Sequence, residues 1–310
     1  MTALICGSMA FDNIMVFPGK FKDHILPDKI HMLNVSFLVP SMRRNFGGCA
    51  GNIAYNLKLL GGSGLPMATV GHDFAVYRAS MEQQGIDLRY IKTIAGEFTA
   101  QAFITTDLDD NQITAFHPGA MNHAHTQSVP TNAGVTLGLI SPDGRDGMMQ
   151  HADQFAKEGI PFIFDPGQGL PMFDGDDLKA FIDKATYVTV NDYEGQLMSE
   201  RTGLSDDAIA KRVKALIVTR GGDGSTIFAD GNRIEIPCAK ATTLKDPTGC
   251  GDAYRAGLIY GIELGLDWET TGRIASLIGT IKIESEGPQN HFFTMKDFGA
   301  RYRQEFGRAL

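Results

Sequence analysis

The chain has 310 residues, a net charge of −8 and 43% hydrophobic residues, a composition typical of a globular protein with a large core. The acidic balance and the absence of a basic run argue against a nucleic-acid or anionic-membrane surface, and no segment is apolar for long enough to span a membrane. The four cysteines form no C-x-x-C pair and the N-terminus lacks a signal-peptide pattern, so we expect reduced thiols in a cytoplasmic protein. Glycine is enriched, with 36 residues.

The N-terminal part of the chain combines strand patterns with one helix. Residues 13–45 lack helical periodicity, and residues 98–117 are typical of two strands around a turn at 109–111. Apolar residues at i, i+4 and i+7 predict a helix over about 52–60 that a diglycine ends. The strands predicted here cover residues 3–6, residues 33–39 and the two arms of 98–117.

From about residue 134 onward, strand and helix patterns alternate. Strands are predicted at 134–140, 160–165, 187–190 and 215–219, with a late hairpin at 226–228 and 233–236. Helices are predicted at about 147–158, 176–184, 192–201, 251–264, 268–284 and 295–308. This alternation indicates a parallel sheet with helices on both faces. We therefore expect one α/β domain over 1–310, with 13–45 and 98–117 as β-rich excursions from it.

The strongest candidate site is the stretch 245–254, KDPTGCGDAY, which opens directly onto a helix with an apolar stripe. Its glycines allow a tight turn, and the N–H groups of Gly249, Cys250 and Gly251 at the positive end of the helix dipole favour an anion. We expect Asp252 to stay ionised there. A carboxylate beside an anion site suits the deprotonation of a hydroxyl that attacks a phosphoryl group. The alternative is an ordinary first helical turn.

The stretch 245–254 resembles the second signature of the PfkB family of carbohydrate kinases, and FGGCAGNIAYNL at 46–57 resembles the first. GSMAFD at 7–12, NDYE at 191–194 and VTRGGDG at 218–224 match in family order, so that the matches span residues 4 to about 291. The resemblance implies a ribokinase-like fold, a three-layer α-β-α, doubly wound, mostly parallel sheet with ligands at the strand carboxyl ends. It also implies that the excursions form a small β-sheet lid.

The resemblance implies a role for each matched residue. Asp252 is the base, the Gly249, Cys250 and Gly251 amides hold the transferred phosphoryl group, and Glu194 acts on the phosphates through Mg²⁺ and water. The residues expected to contact the substrate are Ser8, Asp12, Ser36, Gly47, Gly48, Asn52, Phe103, Phe116 and Gln168. The residues expected to contact ATP are Asn191, Glu194, Thr219, Gly221, Gly222, Gly224, Thr248, Gly249 and Gly251.

Simpler interpretations exist for the smaller motifs. Asp12 is then a turn cap, Asn52 a helix N-cap, the stretch 191–194 a surface helix start and the glycines at 221–224 a hairpin turn. Arg220 stands where many family members carry Leu, which leaves the nucleotide contacts less defined.

Within the family, the chain looks most like the bacterial adenosine kinase branch. The similar stretches are 7–12, FPGKF at 17–21, Leu26-Pro27, VSFL at 35–38, FHPGAM at 116–121 and DPGQ at 165–168. Phe103 and Phe116, on the two arms of the lid hairpin, offer faces that stack on a purine, and packing inside the lid is the alternative. The resemblance places Ser36 and Phe37 in the partner's site of a lid-paired homodimer, whereas Ser36 is otherwise an outward strand residue.

These observations predict an ATP- and Mg²⁺-dependent kinase that phosphorylates the 5′-hydroxyl of adenosine to AMP in purine salvage. A requirement for a monovalent cation such as K⁺ is left open. The alternatives are a kinase of inosine or guanosine, a kinase of ribose or fructose, and a catalytically silent nucleotide-binding protein. A dinucleotide dehydrogenase is disfavoured because the glycines at 47–51 lack the G-x-G-x-x-G spacing. We expect no nucleic-acid and no membrane partner.

Overall fold

The computed structural model describes residues 2–25, 34–109 and 111–310. The strands are β1 (Ala3–Cys6), β2 (Ala10–Val16), β3 (Ser41–Gly47), β4 (Gly64–Val70), β5 (Ile91–Thr93), β6 (Ala100–Thr106), β7 (Gln112–His117), β8 (Leu137–Ile140), β9 (Phe162–Phe164), β10 (Tyr187–Asn191), β11 (Ala215–Thr219), β12 (Ser225–Ala229) and β13 (Asn232–Ile236). The helices are α1 (Cys49–Leu59), α2 (Ala75–Gln83), α3 (Arg145–Glu158), α4 (Gly175–Lys184), α5 (Asp192–Thr202), α6 (Asp206–Ala210), α7 (Cys250–Glu263), α8 (Trp268–Ile283) and α9 (Met295–Phe306).

Nine strands form the large sheet in the order β13-β12-β11-β10-β9-β8-β1-β4-β5. The pairings from β11 to β5 are parallel, and β12 is antiparallel to both of its neighbours. Alternate residues of β11 pack on opposite faces, with Ala215 and Ile217 against α7 and α8, and Leu216 and Val218 in the cluster that contains α3 to α6. The predicted parallel sheet with helices on both faces is confirmed.

A second, four-stranded sheet is built from the two excursions, in the order β3-β2-β6-β7. Strand β2 pairs antiparallel with β3 and parallel with β6, and β6 pairs antiparallel with β7. This lid sheet begins at Ala10 and reaches Gly47, a few residues beyond each end of the predicted excursion 13–45. Asp12 therefore lies in the base of the lid sheet and not in the first strand of the large sheet.

The strand predicted over 33–39 is wrong for residues 34–39, which have no regular structure. Phe37 packs instead on the rings of Phe17 and Phe21, at 4.8 and 5.0 Å between centroids. Phe37, one of the apolar residues whose alternation suggested a strand, is thus part of an aromatic cluster at the end of the lid. Leu33, the Leu26-Pro27 pair and Asp110 of the hairpin turn lie outside the described residues.

The predictions for 134–310 agree with the structure to within about three residues at most boundaries. No element was predicted over 62–97, where the structure has β4, α2 and β5. The four cysteines are free thiols. Of the helices in the described ranges, none combines the length and apolar character that crossing a membrane requires.

Helices α7 and α8 approach so closely that a glycine is required between them. A Cβ on Gly257 would lie 2.4 Å from the Ala275 Cα. We predict that Gly257→Ala lowers the free energy of unfolding by about 1–3 kcal/mol, because the added methyl group forces the helices apart. Gly299→Ala in α9 is the matched control, since nothing lies within 4 Å of its Cβ position, and we expect it to stabilise the protein by about 0.5–1 kcal/mol. Urea unfolding measures both, and equal stabilities for the two variants would contradict the packing argument.

Candidate active site

Three predicted site residues, together with Asp165, follow strands whose carboxyl ends share one edge of the large sheet. Ser8 comes shortly after β1, Asp165 directly after β9, and Asn191 and Thr219 end β10 and β11. These strands are parallel, so the segments that follow them converge, as ligand sites of open α/β sheets do. The first turns of α1 and α7 complete this edge.

The N-terminus of α7 presents three amides without an acceptor. Its N-cap, Gly249, has a φ of +82°, and a Cβ there would lie 2.7 Å from the Pro288 Cβ, so glycine is required. Within the described residues, nothing accepts a hydrogen bond from the N–H groups of Gly249, Gly251 or Asp252. The expectation for Cys250 is wrong, because its N–H donates to the Pro247 carbonyl at 3.1 Å and closes a turn. The Asp252 N–H, and not the Cys250 N–H, is therefore the third of the three N–H groups that could bind an anion.

Asp252 is held by Asn52 from the first turn of α1. The Asn52 Nδ2 donates to the Asp252 Oδ2 at 2.8 Å. The alternative that Asn52 is an N-cap is wrong, because α1 begins at Cys49 after Gly48. Gly48 has a φ of +83°, and a Cβ there would lie 2.6 Å from the Ala10 N. The end of the lid thus passes directly into the helix that holds Asp252.

A buried chain of hydrogen bonds links the lid to this carboxylate. The Gln289 Nε2 donates to the Asn52 Oδ1 at 2.8 Å and also to the Tyr77 hydroxyl. Tyr77 in turn donates to the Gly47 carbonyl at 2.9 Å. The sequence analysis missed Gln289 and Tyr77, since Gln289 lies in an irregular segment after α8 and Tyr77 lies in a helix that was not predicted.

Two carboxylates of the site have raised pKa values. Burial, more than any other factor, raises the pKa of Asp252 to about 6, and the charge of Asp165 adds to this effect. Asn52 and Arg255 act in the opposite direction. Burial and the charges of Asp252 and Asp246 raise the pKa of Asp12 to about 6 as well. Desolvation thus outweighs the helix dipole that we expected to favour ionisation, yet Asp252 stays mostly ionised at neutral pH.

Gly47 and Asp12 are neighbours on paired strands of the lid. A Cβ on Gly47 would lie 2.4 Å from the Asp12 Oδ2. Because Asp12 lies inside β2, the turn-cap alternative for it is wrong. Ser8 accepts the Cys49 N–H through its Oγ at 3.2 Å, so its side chain supports the start of α1.

A buried ion pair lies beneath the site. The Arg255 Nε and Nη2 donate to the two carboxylate oxygens of Asp165, each at 3.0 Å, and Nη2 lies 4.0 Å from the Glu194 Oε2. Removal of one partner of such a pair costs about 3–5 kcal/mol because the other charge is left buried. Arg255 was missed. Asp165 was also missed as a site residue, and the signal that could have found it is its position at the end of a predicted strand.

Asn191 and Glu194 form a capping box at the start of α5. The Glu194 N–H donates to the Asn191 Oδ1 at 2.7 Å, and the Asn191 N–H donates to the Glu194 Oε2 at 2.8 Å. The helix-start alternative therefore accounts for both residue types without a ligand. The Glu194 Oε1 makes no hydrogen bond within the described residues, and a carboxylate oxygen at this edge is a ligand type that fits Mg²⁺.

The glycine loop on the nucleotide side joins β11 to the antiparallel β12. The Arg220 N–H donates to the Gly224 carbonyl at 2.8 Å, so the hairpin-turn alternative describes the backbone correctly. Gly224 has a φ of +84°, and a Cβ there would collide with the Ile236 carbonyl. The space beside Gly221 and Gly222 is open, which leaves room for a ligand.

The side chains of Arg220 and Thr219 at this loop are hydrogen-bonded within the protein, whereas Thr248, among the described residues, is bonded only through its N–H. Arg220 donates to Thr226 and, at 2.8 Å, to Glu235. Thr219 donates to the Val190 carbonyl at 3.4 Å. The Thr248 N–H donates to the Asp246 Oδ1 at 2.9 Å, and Thr248 itself is exposed.

The two lid aromatics lie on opposite faces of the lid sheet. Phe116 pairs with Ala102, which is in register with Asp12, whereas Phe103 pairs with Ala115. Phe116 therefore shares the face of Asp12, and Phe103 does not. Of the two expected base contacts of one chain, only Phe116 therefore lies on the face of the lid that carries Asp12. Both are exposed, at 40% for Phe103 and 53% for Phe116, so the lid-core alternative is wrong.

Two further predicted contacts, Gln168 and Ser36, have exposed side chains. Gln168 is exposed in a 3₁₀ turn over Gly167–Met172, close behind the end of β9. Ser36 is exposed in the irregular segment before β3 and makes no side-chain hydrogen bond within the described residues.

The model of the pfkB family carbohydrate kinases matches residues 12–294. The chain belongs to this family. It is 34% identical over 263 residues to a nucleoside kinase of Methanocaldococcus jannaschii, covering 84% of this chain and 86% of that one. The Burkholderia thailandensis nucleoside kinase in complex with inosine superposes with a TM-score of 0.90 at 51% identity and covers 99% of both chains. Its complex with ADP-inosine has a TM-score of 0.88 at 52% identity, covering 99% of this chain and 97% of that one.

Membership of the pfkB family confirms two predictions. The fold is ribokinase-like, with the lid as its second sheet. The chain is a phosphotransferase that acts on a hydroxyl group.

The raised pKa of Asp252 predicts an acid limb in the activity profile. A base must be ionised, so kcat/KM should fall about tenfold per pH unit below a midpoint near 6, and more steeply if Asp12 must be ionised as well. Asn52→Ala removes a hydrogen bond that lowers this pKa, so its midpoint should move to higher pH. A kcat/KM that stays constant as the pH falls to the ordinary pKa of an aspartate would contradict the assignment of Asp252 as a base.

Proposed function

We propose that the chain is an ATP-dependent nucleoside kinase that phosphorylates the 5′-hydroxyl of purine ribonucleosides, with adenosine and inosine both as substrates. The observation that carries this proposal is Asp252, a partly buried carboxylate at the N-terminus of α7, beside three amides to which no described residue offers an acceptor. A base next to an anion site is what the transfer of a phosphoryl group to a hydroxyl requires.

In this proposal, Asp252 accepts the proton of the attacking hydroxyl. The amides of Gly249, Gly251 and Asp252 hold the charge on the transferred phosphoryl group. Cys250 has no chemical role, because burial raises the pKa of its thiol to about 11 and keeps it neutral. Asn52 keeps the Asp252 carboxylate aimed at the site through the bond between its Nδ2 and the Asp252 Oδ2.

The ribose would be held between the lid and α1. Asp12 offers two acceptor oxygens that suit a pair of vicinal hydroxyls. Gly47 and Gly48 have no side chain beside it. The Asn52 Nδ2 lies 3.7 Å from the Cβ position of Gly249, next to the proposed phosphoryl site. Ser8 supports the arrangement through its bond to the start of α1.

Two observations support a purine as the base. Adenosine is the substrate implied by the sequence resemblance, and inosine is bound by the 51% identical Burkholderia enzyme. Phe116 lies on the face of the lid that carries Asp12, where its ring is available for stacking. The amide of Gln168 can donate and accept, so it suits a 6-amino and a 6-oxo purine alike.

ATP would lie along the loops after β10 and β11. The open space at Gly221 and Gly222 supports this, together with the ADP-inosine complex of the relative. The proposed contacts are Asn191, Glu194, Thr219, Gly221, Gly222, Gly224, Thr248, Gly249 and Gly251. When bound, Mg²⁺ neutralises part of the phosphate charge, and Glu194 would hold it through water. A role in purine salvage and a cytoplasmic location stay predictions.

The outer face of the lid supports the predicted homodimer. Met42, Phe103 and Ile113 lie on the face opposite Asp12 and are exposed at 63%, 40% and 44%. An apolar patch of this kind is suited to a second copy of the same sheet. We therefore propose dimerisation through the lid, with Phe103 in the interface. A contribution of Ser36 to the partner's site stays a prediction.

Incubation with ATP, Mg²⁺ and a panel of acceptors tests the function. Adenosine and inosine should give the 5′-monophosphates, whereas ribose and fructose should have kcat/KM values at least about a hundredfold lower, since they lack the base contacts. The 5′-deoxynucleosides are the matched controls and should give no product. Faster turnover of a free sugar would favour the sugar-kinase alternative. A lack of turnover with every acceptor would favour a silent nucleotide-binding protein.

A further inference from the structure

Lys282 is a lysine in the last turn of α8 that is completely buried. Its Nζ donates to the Asp246 carbonyl at 2.6 Å and to the Ser285 carbonyl at 3.3 Å. Asp246 is the residue from which the chain turns into the N-terminus of α7. The ammonium therefore lies directly behind the loop that forms the proposed phosphoryl site.

The partners of this ammonium are neutral carbonyl oxygens. No carboxylate oxygen lies within 4.0 Å of its Nζ in the described part of the chain. The nearest candidate, the Asp246 carboxylate, accepts instead from the Thr248 N–H at 2.9 Å and from the Gly287 N–H at 2.8 Å. The burial of a charge among neutral partners is energetically costly. A place near the C-terminus of α8 therefore does not by itself explain why Lys282 is buried. Lys157, in the last turn of α3, occupies the equivalent position of its helix and is exposed to solvent.

The contacts of Lys282 fix the loop against the end of α8. The N–H groups of Lys245 and Asp246 donate to the Ile283 carbonyl at 2.9 and 3.3 Å, and the ammonium adds a third bond through the Asp246 carbonyl. The same loop continues to the turn between Pro247 and Cys250 and then to the three unpaired amides. One of the three bonds that fix this loop therefore comes from a buried ammonium group.

We propose that Lys282 is the built-in cation of the phosphoryl-transfer site. A monovalent ion in a cage of carbonyl oxygens would provide the same charge and the same bonds. The ammonium of Lys282 fixes the loop 246–251 and adds positive charge behind its amides, so the chain needs no K⁺ for activity. Lys282 is thus a positioning residue, and this inference rests on the kinase function proposed above.

The wild-type protein provides the first test. Its kcat with inosine and ATP should change less than about twofold when KCl is replaced by tetramethylammonium chloride at equal ionic strength, because the site already holds its cation. Stimulation by K⁺ of more than about tenfold would overturn the proposal.

Lys282→Ala provides the second test, with Lys157→Met as a matched control that should behave like the wild type. Loss of the ammonium should lower kcat at least about tenfold, and K⁺ or NH₄⁺, but not tetramethylammonium, should restore a large part of it. Full activity of Lys282→Ala would overturn the proposal. A loss that neither ion restores would overturn it too, since it would indicate a role in packing only.

Thermal unfolding separates this inference from the kinase function. K⁺ should raise the Tm of Lys282→Ala relative to tetramethylammonium and leave the Tm of the wild type unchanged. This result is expected even if the wild type phosphorylates no nucleoside, in which case the proposed function fails and the cation site stands. If Lys282→Ala is folded only in the presence of K⁺ or NH₄⁺, the proposal is supported as well. Equal responses of the two proteins to K⁺ would overturn it.

Discussion

The hydrogen bond from Asn52 to Asp252 is the contact on which the proposed site depends. It joins the first turn of α1 to the first turn of α7 across 200 positions of the sequence. Because α1 begins directly after the lid, the same bond sets the carboxylate relative to the lid sheet. Gln289 and Tyr77 extend the connection back to the Gly47 carbonyl, so hydrogen bonds join the end of the lid to the proposed base.

The charges around this bond explain how an acidic chain can hold phosphates. Asp12 and Asp252 are partly buried and have raised pKa values. Two cations of α7 and α8, Arg255 and Lys282, are buried. Arg255 is neutralised by Asp165, whereas Lys282 is bonded to carbonyls and keeps its charge available to the loop. With backbone amides at the N-terminus of α7, no basic surface is required. A net charge of −8 is therefore compatible with the proposed activity.

The sequence predicted those features that local patterns determine. The helices and strands from residue 134 onward, apart from the short α6, follow from periodicity and turn signals, and the glycine-rich stretch at the start of a helix singled out Asp252. Features that depend on distant partners were not predictable. The Cys250 N–H is hydrogen-bonded within a turn, and the register of the lid strands places Phe103 and Phe116 on opposite faces. Gln289 lies outside the helices and strands. None of these facts has a signature within a short stretch of sequence.

Replacement of Asp252 by Asn tests the account most directly. The change keeps the shape and an acceptor for Asn52, and it removes a carboxylate whose raised pKa makes its ionised form costly in the folded state. We expect the Tm to be unchanged or higher and the dissociation constant for inosine to change little, while kcat falls at least about a hundredfold. Near-normal turnover of a folded Asp252→Asn protein would contradict the role assigned to this carboxylate.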